Sequence, residues 1–274
     1  AACKVIRQVK PKIALFGQSV FLFPTPLKEM ADAAKEVGAK VMYDGAHVLG
    51  LIAGGEFQDP LREGADVMTG SSHKTFPGPQ GGFLLSSSED ETFQKRLNTA
   101  MFPGVCSSYH LHHVAGKVMA LAEFQEYGAS YARDTVQNAK AFAQALASEG
   151  FDVLAESRGY TASHQVLTRH GDTDSGAGAK AAQLLEDGGI ITNMNMLPGD
   201  TKALTPSGLR LGVQELTRVG FGPDDMQDVA AFYARILLHG EDPAFVRRDV
   251  KDLKSQFQTI RYCFNDEGRS GYPL

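Results

Sequence analysis

Tryptophan is absent from this 274-residue chain, and cysteine occurs only at Cys3, Cys106 and Cys263. An odd number of widely separated cysteines without metal-ligand spacing argues against a disulfide framework and leaves free buried thiols as the expectation. No run of about 18 apolar residues occurs and no charged segment leads into an apolar one, which argues against a membrane span and a secretory signal. Positive charge is also scarce: 27 Lys and Arg stand against 32 Asp and Glu, for a net charge of −5. With no basic block carrying interleaved aromatics, neither nucleic acid nor a membrane is an expected partner. What is present is 43% hydrophobic and 22% charged, enough to bury one large core or two modest ones. That composition suits a soluble globular protein, with the cytoplasm as the default compartment.

The early part of the chain alternates short apolar runs with a helical pattern. Lys12 to Phe16 reads as a buried strand ending at Gly17. Thr25 is placed to cap a helix with Pro26 in its first turn, and Leu27, Met30, Ala31, Ala34 and Val37 recur at helical spacing until Gly38. Lys40 to Tyr43 reads as a second strand, so the strand, helix, strand succession predicts a right-handed crossover between parallel strands. Asp44 and His47 then fall just beyond a strand's carboxyl end, where open α/β sheets place ligands. Asp66 to Thr69 is a third candidate strand, and Gly82 to Ser86 a fourth, following a Gly/Pro-rich turn. Two amphipathic helices follow, over Leu111–Ala122 and Val136–Leu146, and this helical stretch is the expected domain junction. Beyond it, strands at 151–154, 165–168, 190–192 and 209–211 mix with helices at 179–185, 223–238 and 243–262, a small α+β domain. The polar stretch 265–271 reads as a mobile tail. The expected division is 1–128 for an α/β domain with its linker helix and 129–274 for the second domain.

Lys74, in Ser71-Ser72-His73-Lys74-Thr75, and Asp44, in Asp44-Gly45-Ala46-His47, are the two groups on which pyridoxal phosphate chemistry depends. They are an amine able to bond an aldehyde and a carboxylate able to keep a pyridine nitrogen protonated. Ser71 and His73 add a small hydroxyl and an imidazole beside the lysine. Each has a plainer reading: Lys74 as an exposed lysine before a surface turn, Asp44 as a turn cap, His47 as a structural histidine. His110, His112 and His113 lack carboxylate or cysteine partners at ligand spacing, so no metal is expected.

Two long segments, Tyr43-Asp44-Gly45-Ala46-His47-Val48-Leu49-Gly50-Leu51-Ile52-Ala53-Gly54 and Gly70 through Gly82, closely resemble the serine hydroxymethyltransferase family of fold-type I pyridoxal phosphate enzymes. Phe102-Pro103-Gly104 with His110 to His113, and Ser207-Gly208-Leu209-Arg210-Leu211-Gly212 with Leu216-Thr217-Arg218, agree with it. The resemblance runs from residue 1 to about 260. It implies the fold-type I transferase architecture, with an incomplete, mostly parallel large domain plus a small carboxyl-terminal α+β domain. It implies Lys74 as the Schiff-base lysine, Asp44 on the pyridine nitrogen, and His47 and Ser19 beside the cofactor's phenolic oxygen. Ser71 and His73 take the family's places next to the Schiff base, and Arg210 grips the substrate α-carboxylate. Asn195 corresponds to an asparagine near the folate. Ser107 and Ser108, in the region near the cofactor phosphate, stand where Gly-Gly is usual, and Gln80 stands where an arginine is frequent.

The implied reaction interconverts serine and glycine by Cα–Cβ cleavage, with tetrahydrofolate as one-carbon acceptor. A threonine aldolase or transaldolase of the same family, working without folate, is the alternative, and Val213-Gln214-Glu215 suits either that branch or an archaeal-like one. Relative to the family, the chain begins just before the strand that leads to Ser19. The reading that follows is either a fragment or one subunit of a split enzyme, catalytic or not. A homodimer, or a partner chain supplying the remainder, is the expected assembly.

Overall fold

The computed structural model describes residues 1–264, so the predicted mobile tail lies outside the described residues. The chain divides into two compact units, Ala1–Ala129 and a second beginning at Ser130.

The first unit opens with α1 (Ala2–Val9), then β1 (Ile13–Gly17), α2 (Leu27–Glu36) and β2 (Lys40–Asp44), followed by α3 (Leu49–Ala53), β3 (Val67–His73), β4 (Pro77–Leu85) and α4 (Glu91–Thr99). The strands form one sheet in the order β1-β2-β3-β4, parallel except for the β3–β4 pair. The predicted crossover is present. α2 buries Leu27, Met30, Ala31, Ala33 and Ala34, the 3.6-residue stripe read in the sequence. Its start differs from expectation. Pro26 is the cap and no side chain closes the first turn, because Thr25 is held by its backbone: its N–H donates to Gln58 Oε1 at 2.8 Å and its C=O accepts from Gln58 Nε2 at 3.1 Å. Gln58 also accepts from the hydroxyl of the buried Tyr43 at 2.9 Å, so a polar side chain within the unit is satisfied on both sides.

The hairpin is the larger difference. The Pro77–Gly82 stretch, expected as a tight turn, is itself strand, and the turn lies at Lys74–Phe76. β3 continues to His73 and pairs with β4 through a register shift between Ser71 and His73, the irregularity that lets a proline- and glycine-rich segment stay in a ladder.

The two predicted amphipathic helices are one, α5 (Leu111–Ser148), 38 residues long. No proline interrupts residues 111–148, and its two glycines do not break it: Gly128 is buried, and a Cβ there would meet the Phe124 ring.

The second unit continues with the rest of α5, β5 (Asp152–Val153), β6 (Gln165–Arg169), α6 (Ala177–Asp187), β7 (Asn193–Asn195), β8 (Gly208–Gly212), α7 (Gln214–Arg218), α8 (Asp225–Leu237) and α9 (Pro243–Ser255). Its antiparallel sheet has the order β5-β6-β8-β7. One face, with Val166, Leu209 and Leu211, packs on Phe142, Leu146, Leu185, Met226 and Ile236. The strand expected at 190–192 falls at 193–195, since only those residues meet β8, and α9 stops at Ser255. The cysteines are free, but none is buried: Cys106 is exposed and the other two are intermediate. No helix among the described residues is long and apolar enough to cross a membrane.

Candidate active site

In the first unit, the parallel strands deliver their carboxyl ends to one edge. Asp44, the last residue of β2, lies in register with Gly17 of β1 and Thr69 of β3. The β1 and β2 backbones run so close there that a Cβ on Gly17 would sit 2.6 Å from Asp44 Cβ. Asp44 Oδ1 accepts the Ala46 N–H at 2.9 Å, an Asx turn that swings the chain toward His47. Gly45 N–H donates to the Thr69 carbonyl at 2.8 Å and Val48 N–H to the Gly45 carbonyl at 2.9 Å, fixing that turn to the sheet. The turn-capping role is therefore real, yet it uses one oxygen. Oδ2 has no hydrogen-bond partner among the described residues, so the carboxylate can cap and still receive a cationic ring nitrogen.

Lys74 stands in the β3–β4 turn, half-buried rather than exposed, and its Nζ donates to Ser71 Oγ at 3.1 Å. The next residue, Thr75, was not singled out in the sequence. It is fully buried, its Oγ1 donates to the His47 carbonyl at 3.0 Å, and the same oxygen accepts the Gly50 N–H at 3.0 Å. α3 has no side-chain cap of its own at Val48, so a threonine 25 residues away serves one of its otherwise unpaired N–H groups. Gly50 is required here, since a Cβ would overlap the Thr75 carbonyl. The lysine turn and the Asp44–His47 turn are thus one bonded structure.

Of the remaining candidates in this unit, Ser19 follows β1 by two residues and is exposed. It shares the carboxyl-end side of the sheet with Asp44 and His47 by topology. His73 is exposed, with Nδ1 3.2 Å from the Gly81 carbonyl and 3.3 Å from the Gly81 N. Ser107 and Ser108 lie in the exposed segment before α5, and neither hydrogen-bonds another candidate residue.

The second unit carries Arg210 and Asn195. The β7–β8 ladder sets Asn193 directly opposite Arg210 and Asn195 opposite Gly208, so with a two-residue period all three side chains leave the face of the sheet that is opposite Leu209 and Leu211. Arg210 is half-buried, and burial pulls its guanidinium below the ordinary arginine value. Asn195 Nδ2 donates to the Met196 carbonyl at 2.6 Å. The β7–β8 connection is held by two aspartates. Asp200 accepts from Leu197 N–H and Ser207 N–H at 2.9 Å each, and from Asp174 N–H at 2.8 Å; Asp174 accepts from Thr201 and Lys202. These backbone donors hold the Asp200 carboxyl well below the usual carboxylate range.

The sheet order, the turn-borne lysine and the strand-end carboxylate define a class. A solved structure of L-threonine transaldolase from Pseudomonas fluorescens, in its internal aldimine state, matches with a TM-score of 0.88 at 31% identity, over 98% of this chain and 60% of that one. The architecture is that of the fold-type I pyridoxal phosphate enzymes. The family model for serine hydroxymethyltransferase matches residues 2–233. The serine hydroxymethyltransferase of Thermococcus kodakarensis is 57% identical over 99% of the chain, and that of Pyrococcus abyssi 58% identical over 96%. The enzyme of that name from Thermoplasma acidophilum is 53% identical over 96% of the chain. The chain belongs to the serine hydroxymethyltransferase family, as the resemblance implied. It spans about 63% of the length of the Thermococcus relative and 62% of the other two.

Proposed function

We propose that this chain provides the lysine-bearing part of a pyridoxal phosphate enzyme that interconverts serine and glycine, with tetrahydrofolate taking the one-carbon unit. The observation that carries the reading is the bonded pair of turns. A half-buried Lys74 beside Ser71 is tied through Thr75 to the turn that begins at Asp44, and the donor set of amine, carboxylate, imidazole and hydroxyl fits that cofactor. When bound, the cofactor supplies an electron sink conjugated to the substrate Cα. Lys74 is the amine that bonds its aldehyde. Ser71 accepts a hydrogen bond from that amine and so orients it. Asp44, with Oδ1 in the turn and Oδ2 open, holds a proton at the pyridine nitrogen. His47 and Ser19 would hold the cofactor's phenolic oxygen, His73 would move a proton beside the Schiff-base amine, and Ser107 and Ser108 would hold the phosphate. Arg210 binds the amino acid's carboxylate in a planar, two-point grip, with Asn195 toward the folate.

A second reading is favoured by one specific finding, the likeness to the Pseudomonas transaldolase. In it, the same residues cleave a β-hydroxy amino acid such as threonine and pass the glycine unit to another aldehyde without folate. The assembly in both readings is a homodimer or a complex with a chain that supplies further site residues. The test is turnover of serine and of threonine by the purified chain with pyridoxal phosphate, each with and without tetrahydrofolate. Folate-dependent glycine formation from serine supports the first reading. Folate-independent cleavage of threonine with glycine exchange supports the second. No shift of the cofactor's own absorption on mixing with the chain, alone or with a candidate partner chain, overturns both.

A further inference from the structure

The geometry points to Lys117 as a positioning residue for His73, acting through the backbone of Gly81 and Gly82. This rests on the reading of His73 as an active-site imidazole. His73 Nδ1 meets Gly81 twice, its carbonyl at 3.2 Å and its N–H at 3.3 Å. A protonated Nδ1 donates to the carbonyl and an unprotonated one accepts from the N–H. The ring therefore keeps a partner, and its orientation, in either tautomer. Nε2 has no hydrogen-bond partner among the described residues and is the nitrogen left to exchange a proton.

This arrangement is only as firm as the Gly81–Gly82 segment, and two glycines have no side chains with which to hold themselves. Gly81 has φ +151°, a conformation side chains rarely adopt. The β3 ladder holds one side of the segment, pairing Gly82 with Ser71, and the first turns of α5 hold the other. Lys117 Nζ donates to the Gly82 carbonyl at 3.3 Å, lies 5.6 Å from the Phe83 ring centroid, and passes so close over Gly81 that a Cβ there would overlap it. Phe83 packs edge-on against Phe76 at 5.5 Å. The helix can approach because Gly116 faces Pro79, where a Cβ would stand 3.1 Å from the proline ring. Ser72 Oγ pins the start of β4, donating to the Pro79 carbonyl at 2.6 Å. A lysine serving only solubility would extend into water; this one is partly buried, with its charge on a carbonyl and a ring face.

The experiment is nitrogen-15 NMR of the histidine side chains in the purified chain without cofactor, comparing wild type, Lys117→Met and Lys117→Arg. The His73 ring signals of the wild type are expected to shift and broaden in Lys117→Met and to return to the wild-type positions in Lys117→Arg. With cofactor and a β-hydroxy amino acid, Lys117→Met is expected to lose about tenfold in kcat while KM stays within about twofold, the pattern of a misaimed group rather than a lost binding contact. Unchanged His73 signals in Lys117→Met overturn the proposal. If circular dichroism shows that variant unfolded, Lys117→Gln is read the same way, and unchanged signals there overturn it equally. A wild-type chain that binds no cofactor counts against the proposed function and leaves the ring signals to decide the role of Lys117.

Discussion

Thr75 Oγ1 and the His47 carbonyl, 3.0 Å apart, join two stretches of chain that are 28 residues apart and that carry the candidate lysine and the candidate carboxylate. Because the same hydroxyl also receives the Gly50 N–H, it satisfies a buried donor and a part-buried acceptor at once.

Thr75→Val keeps the shape and removes both bonds. It is expected to destabilise the chain by about 1–3 kcal/mol, the cost of leaving the buried Gly50 N–H unpaired, and to weaken pyridoxal phosphate binding because the lysine turn loosens. Urea denaturation monitored by circular dichroism, with and without cofactor, measures both effects. A variant as stable as the wild type would remove the hydroxyl from this account.

Asp44→Asn separates the two uses of that side chain. The amide oxygen still accepts the Ala46 N–H, so thermal stability is expected to change little, while turnover falls on the order of 10²-fold, the scale seen when one charge-stabilising group is lost. Asp44→Ala is expected to lose the turn as well, and so to lower the melting temperature.

Arg210→Lys retains charge without the planar fork. Its expected signature is a KM for the amino acid raised about tenfold or more, with a smaller change in kcat, as one charge-assisted hydrogen bond is lost. Equal losses in kcat and kcat/KM would instead place Arg210 in the reaction step.

His170 sets a pH dependence in the second unit. Burial pushes its imidazole down to about 4, and its Nε2 lies 2.8 Å from Thr168 Oγ1. The unfolded chain titrates this group near the ordinary value of about 6.5. Between those values the unfolded state binds more protons, so stability is full above about pH 6.5 and declines as pH falls toward 4. Chemical denaturation at pH 7 and pH 5 is expected to show the loss, and His170→Gln to reduce it.

Much of this was legible because it is local or periodic. The parallel crossover came from two apolar runs and a helical stripe, and the position of Asp44 followed from where the second strand stops, whereas the third strand runs four residues beyond its expected end at Thr69, up to Lys74. What was not legible depends on distant partners. Thr75 reads in sequence as one more small polar residue after a lysine; only the approach of α3 gives its hydroxyl two partners. Thr25 has the chemistry of a cap, but Gln58 holds its backbone and the helix opens at Leu27. Proline and glycine at 77–82 signal a turn by composition, and the pairing with β3 overrides that signal. The asparagine opposite Arg210 emerges from register alone, and Lys117 from a helix lying over two glycines.

The Asx turn at Asp44 has one more effect, on the entropy of association. A carboxylate swinging freely would surrender its rotamer freedom on capturing a cation, about 0.5–1.5 kcal/mol for a side chain immobilised on binding. Here Oδ1 is already anchored to the Ala46 N–H, so that ordering is complete once the chain has folded, and the open oxygen meets its partner with nothing left to freeze.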